Sequence, residues 1–104
     1  MIISTIETVP GREIAETLGV ARGNVIRAKH IGTDIVASLR NLVGGEVSEY
    51  TKLMAEAREQ SMDRMIEDAR AQGADAVIGI RFATSMITSG AAEILCYGTA
   101  VRLA

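Results

Sequence analysis

Residues 46–72, EVSEYTKLMAEAREQSMDRMIEDARAQ, contain neither Gly nor Pro and are followed at once by Gly73. Glu46 and Glu49 suit the positive end of a helix dipole, and Gly73 suits a left-handed C-terminal cap, so the stretch reads as one long helix. At about 100° per residue, Glu49, Glu56, Glu59, Asp63 and Glu67 collect on one face with Lys52 and Arg70 beside them. The opposite side holds Val47, Tyr50, Met54, Ala57, Ser61, Met62, Met65, Ile66 and Ala69. That arc is wider than packing on one sheet requires, so it predicts two contacts: the domain's own sheet, and a short helix or a neighbouring subunit. The small Ala57, Ser61 and Ala69 permit close approach. Arg58 falls within the arc, where an unpaired guanidinium is costly, and is expected to be buried against the sheet or the next subunit with carboxylate or carbonyl acceptors.

C-terminal to this helix, Ala76, Ile78, Ile80 and Phe82 alternate with Val77, Gly79, Arg81 and Ala83. Leu95, Tyr97, Thr99, Val101 and Leu103 alternate with Cys96, Gly98, Ala100 and Arg102, and the pattern is that of a hairpin whose loop carries Thr88-Ser89-Gly90. On the N-terminal side, Val9-Pro10-Gly11 reads as a tight turn. A strand follows over residues 14–22, with Ile14, Leu18 and Val20 on one side and a bulge expected at Gly23-Asn24 before Val25-Ile26. Thr33 caps a short helix bearing Ile35, Val36, Leu39, Leu42 and Val43, which Gly44-Gly45 stops. Gly19, Gly79 and Gly98 fall within strands, where close packing is the simplest reason for them. The fold class expected is α+β: an antiparallel sheet with one short and one long helix packed on it.

The chain has 104 residues, the size of a single domain over residues 1–104, and buries roughly two-thirds of its unfolded surface. A mean hydropathy of +0.22 is apolar for so small a chain and points to a homo-oligomer. Tyr50, Tyr97 and Phe82 are the whole aromatic complement, which leaves few platforms for stacked bases. A net charge of −2 with acids and bases interspersed argues against nucleic acid and anionic membrane surfaces as partners. No apolar run approaches the roughly 20 residues that span a bilayer. The single Cys96 and a start unlike a signal peptide lead to the expectation of a cytoplasmic protein.

No Walker A sequence, G-x-S-x-G, H-E-x-x-H or C-x-x-C occurs, so the motifs for phosphate cradling, acyl transfer and zinc are missing and nothing specifies an enzyme. One His and one Cys cannot by themselves complete a metal site; several copies around an axis could. His30 reads as a surface or capping residue, Cys96 as a small buried hydrophobe, and Met54, Met62 and Met65 as core fillers. Arg81 and Arg102 are expected to pair with Glu93 or Glu16, or to line an axial pore.

Taken in order, Leu39 to Glu46, Tyr50 through Arg58, Gly73-Ala74-Asp75-Ala76-Val77-Ile78-Gly79-Ile80-Arg81 and Tyr97-Gly98-Thr99-Ala100-Val101 closely resemble the YbjQ family across essentially the whole chain. The resemblance implies a dodecin-like α+β subunit assembled as a homopentameric ring, and a description as a heavy-metal-binding domain without an assigned reaction. The matched segments contain no Cys or His pair, and the chain has no Trp to stack on a flavin. The function expected is therefore that of a homo-oligomeric binding or structural protein holding a metal ion or a small anionic ligand between subunits. Arg58, Tyr50, Glu46 and Arg40 are the candidate ligand-binding residues. The rival is an enzyme whose active site lies between subunits and draws on Arg58, Tyr50 and Glu46.

Overall fold

The computed structural model describes residues 1–28, 48–88 and 90–104, with only the backbone described for 48–50. The expected short helix, with Arg40, Glu46 and His30, lies outside the described residues. In chain order the elements are β1 (Ile2–Ile3), β2 (Ile14–Ala28), α1 (Ser48–Ala71), β3 (Ala76–Thr88) and β4 (Ala91–Leu103). They form an α+β fold: one four-stranded sheet in the order β1-β3-β4-β2 with α1 on one face. The sheet is mixed rather than antiparallel, because β1 runs parallel to β3, pairing Ile2 with Ala76 and Ile3 with Val77. A two-residue strand is too short to show the alternation by which the other strands are recognised.

The turn signals are realised in detail. Arg12 N–H donates to the Val9 carbonyl at 3.0 Å and Gly11 has φ of 81°, the geometry of a type II turn with Pro at its second position. At the end of α1, Gly73 has φ of 83°, its N–H donates to the Arg70 carbonyl, and the Ala74 N–H donates to the Ala69 carbonyl. These two bonds make a Schellman cap. The hairpin strands continue to Thr88 and resume at Ala91, which pair, so its loop is a tight turn with Gly90 at φ of 79°.

The strand glycines differ in role from one another. The bulge expected at Gly23-Asn24 is absent: β2 stays in register with β4 there, with Gly23 opposite Cys96 and Asn24 opposite Leu95. Register shifts instead fall at two glycines, Gly19 with φ of 144° and Gly79 with φ of 62°, and also between Ile14 and Glu16 and between Met86 and Thr88. Each inserted residue changes which face the next side chains occupy. Leu18 packs with the helix-side core while Val20 is exposed, although alternation places them together. Ile78 packs with Val9, Ala76, Val101 and Leu103 on the sheet face away from α1, and Ile80 packs with Met65 and Cys96 under it. Gly98 is a close-packing glycine as expected, since a Cβ there would lie 2.7 Å from Val77 Cγ1 and 2.9 Å from the Ile78 carbonyl oxygen.

Gly23 is the closest meeting of sheet and helix. A Cβ at this position would run into the backbone of Ser61 and Met65 and come within 2.6 Å of Arg64 Cβ. Around it the sheet presents Ala21, Cys96 and Ala100, and the helix presents Ala57, Ser61, Met65 and Ala69, all fully buried. Small residues on both sides bring the helix backbone down onto the strand, and Ser61 keeps its hydroxyl satisfied by donating to the Arg58 carbonyl at 2.9 Å. Because the obstructing atoms at Gly23 are backbone, they cannot rotate aside. Gly23→Ala is expected to lower unfolding stability by roughly 1–3 kcal/mol through overpacking, and Gly23→Val by more. Gly11→Ala, where only the positive φ resists a side chain, is expected to cost about 1 kcal/mol; urea titration of the three variants checks the order.

Candidate functional site

The buried line of α1 is narrower than its sequence suggests. Ala57, Ser61, Met65 and Ala69 are buried, Met54, Met62 and Ile66 are half-buried, and Arg58 is exposed. The domain's own sheet therefore does not cover Arg58, contrary to one of the two placements expected for it. The reason is that α1 lies over β2 and β4 and leaves the flank bearing Arg58 beyond the sheet contact. Tyr50 lies in the first turn of α1, and its side chain is outside the described residues, as are Glu46 and Arg40. Among the candidate ligand-binding residues, Arg58 is thus the one whose side chain can be placed.

Two shallow clefts flank the helix. One, of about 370 Å³, is lined by Ile3, Ser4, Thr5, Met62 and Ile80. It lies between the N-terminal segment and α1, and Arg58 precedes Met62 by one helical turn on the same flank. The other, of about 410 Å³, lies at the C-terminal end of α1 and includes Arg12, Arg70 and Asp75 in its wall. The Asp75 carboxylate there accepts the Leu103 N–H at 2.9 Å, and Arg12 Nη2 donates to the Ala104 carbonyl at 3.4 Å. Arg70 adds an always-charged fork of donors to the same wall.

The strand arginines divide. Arg102 pairs with Glu16 at 3.7 Å, as expected, with both side chains about half exposed. Arg81 instead donates through Nη1 to the Thr5 and Ile80 carbonyls at 2.8 Å each, tying the N-terminal segment to β3, while Glu93 accepts from Asn24 Nδ2 at 3.0 Å.

The soft donors sit in the core. Cys96 is fully buried beneath α1 with its Sγ 3.5 Å from Met65 Sδ, and the thiol can donate to the thioether. Burial pushes the Cys96 thiol up, keeping it protonated. A metal ligand must be a thiolate, and two sulfurs under a helix backbone offer neither a full coordination shell nor an open position. Among the described residues no group of three His, Cys, Asp or Glu side chains comes together. The described side chains of one chain therefore do not fit a metal centre.

With this geometry in hand, the chain can be set beside known proteins. A family model, YbjQ_1, described as "Putative heavy-metal-binding", matches residues 1–104. The chain belongs to this family. It is 59% identical to a UPF0145 protein of Vibrio campbellii and 58% identical to one of Methanosarcina acetivorans, each alignment covering 99% of this chain and 99% and 97% of the relative. A UPF0145 protein of Thermus thermophilus is 55% identical over 99% of this chain and 90% of its own length. A crystal structure of a DUF74 family protein of unknown function from Pediococcus pentosaceus superposes with a TM-score of 0.68 at 15% identity, covering 100% of this chain and 98% of that one. That likeness speaks to the fold, which the YbjQ family member described here shares. No described helix is long and apolar enough to cross a membrane.

The buried thiol gives a chemical test. Cys96 is expected to react with a thiol reagent many-fold more slowly in folded than in urea-unfolded protein. The fold favours the neutral thiol, so this contribution to stability is complete below the ordinary cysteine range near pH 8.5 and declines as pH rises through it. Thermal unfolding between about pH 7.5 and 9.5 should show the decline in wild type and a smaller one in Cys96→Ala. Metal analysis of untagged protein is expected to find less than one transition-metal ion per chain.

Proposed function

We propose that the protein is a cytoplasmic homo-oligomer, a pentameric ring of dodecin-like subunits, that binds a small anionic ligand at the clefts where subunits meet. The observation that carries this reading is unspent surface. The chain exposes 6444 Å², where a compact monomer of its mass exposes about 5,650 Å². Its radius of gyration is 17.1 Å and its long axis 54 Å, against roughly 13 Å expected for the radius of a compact domain of this length. On the outer half of β3, Phe82, Met86 and Ile87 stand exposed without a covering element among the described residues.

An anion suits the clefts better than a metal ion does. Arg12 and Arg70 line one of them, and Arg58 stands on the helix flank above the other. The guanidinium fork is matched to carboxylate and phosphate oxygens. The one thiol, Cys96, and the thioether of Met65 beside it are sealed in the core. Closing each cleft with a neighbouring subunit would desolvate these arginines and strengthen their hold on an anion.

Light scattering in dilute buffer is expected to give close to five times the 11.1 kDa of one chain. A mass of one chain at micromolar concentration would remove the assembly reading. In the same buffer, inorganic phosphate is expected to raise the unfolding temperature of wild type. Arg58→Ala should keep its helical circular dichroism, because the side chain is exposed on the chain, while losing most of the phosphate response. Arg58→Lys should restore little of it.

A further inference from the structure

Charges of both signs line the cleft at the C-terminal end of α1 without neutralising one another. Among the described residues Arg12, Arg70 and Asp75 share its wall with Ile2, Ala74 and Leu103. Arg102, which reaches past Gly73 nearby, is paired with Glu16 at 3.7 Å. No such ion pair among the described residues joins Arg12 or Arg70 to Asp75 or to any other carboxylate.

The bonds these three groups do make leave capacity to spare. Arg12 Nη2 donates to the Ala104 carbonyl at 3.4 Å, a long contact that occupies one donor of five. Arg70 stands exposed in the last turn of α1, and its guanidinium makes no bond to a described residue. The Asp75 carboxylate accepts the Leu103 N–H through Oδ2 at 2.9 Å, and its Oδ1 has no donor among the described residues. The cleft also lies at the negative end of the helix dipole, which favours positive charge. Arg70 alone would be an ordinary complement to that end of the helix; a carboxylate left unpaired beside two arginines is not.

We propose that this cleft binds an α-amino acid with an apolar side chain, its carboxylate held by Arg12 and Arg70 and its ammonium by Asp75 at the end of α1. The proposal rests on the reading of the clefts as anion sites and specifies the ligand of one of them. A simple anion would use both guanidinium forks but meet the charge of Asp75, and a simple cation would meet two arginines. A zwitterion satisfies both signs, so the wall selects against molecules that carry one charge only. Ile2, Ala74 and Leu103 supply an apolar surface for the side chain, and Ile2, 41% exposed, gains cover from it. The volume of about 410 Å³ suits a small molecule.

Calorimetric titration of the full chain at neutral pH with L-leucine, with isocaproate, which lacks the ammonium, and with isoamylamine, which lacks the carboxylate, tests the proposal. Leucine is expected to bind about tenfold more tightly than either half-molecule. Asp75→Asn keeps an oxygen for the Leu103 N–H and is expected to bring leucine and isocaproate to equal affinity, a change of preference that a purely structural role for Asp75 would not produce. Arg70→Gln, with helical circular dichroism retained, is expected to weaken leucine binding about tenfold. Equal affinity of wild type for leucine and isocaproate would overturn the inference. An unchanged preference in Asp75→Asn, or undiminished leucine binding in Arg70→Gln, would do the same. If phosphate raises the unfolding temperature of wild type but leucine does not bind, the inference fails and the anion reading stands; if neither ligand acts, both fail.

Discussion

The helix backbone resting on Gly23 is the contact on which the rest of the structure depends. With no side chain at that position, Ser61 and Met65 come down onto the strand, and Ala21, Cys96, Ala57 and Ala69 close around the point of contact, all fully buried. That proximity sets the reach of the polar stripe of α1. Asp68, Arg64 and Gln72 meet the backbone of β2 because the helix axis is held so near the strand. A larger residue at Gly23 would lift the helix and lengthen each of those bonds, so apolar packing and polar edge closure are coupled through one glycine.

The same placement decides what stays open. A helix lying over β2 and β4 buries one line of residues and leaves the Arg58 flank and the outer half of β3 uncovered. Among the described residues, one small sheet therefore has a side closed by the helix and a side left open. The clefts are shallow for the same reason: each has the helix on one side and the N-terminal segment or the last strand on another, with the remaining wall left to solvent.

The chemistry of the sulfur atoms follows from packing rather than from reactivity. Cys96 faces the helix because β4 keeps strict alternation, and its thiol is desolvated by Met65 and the helix above it. A protonated thiol in a dry core behaves as a small apolar side chain. The description attached to the family thus finds no donor set among the described residues of one chain.

Sequence alone determined the elements whose signals are local. The Gly- and Pro-free run with its terminal Gly73 specified the helix and its cap, Val9-Pro10-Gly11 specified a tight turn, and unbroken alternation specified the faces of β4. It also placed Ala57, Ser61 and Ala69 at a close contact. Tertiary structure decided what local pattern leaves degenerate. A strand glycine is equally legible as a bulge or as a point of close approach, and only the neighbouring helix distinguishes Gly23 from Gly19 and Gly79. The bulge at Gly79 then moved Ile80 and the residues after it, as far as Met86, to faces that alternation assigns the other way. Ile2–Ile3 carries too few residues for a periodic signal, so its parallel pairing came from the fold. Sequence placed Arg58 within the apolar arc, whereas its side chain is exposed, because which part of the arc is buried depends on how the helix is rotated on the sheet, and that rotation is fixed where the two backbones touch.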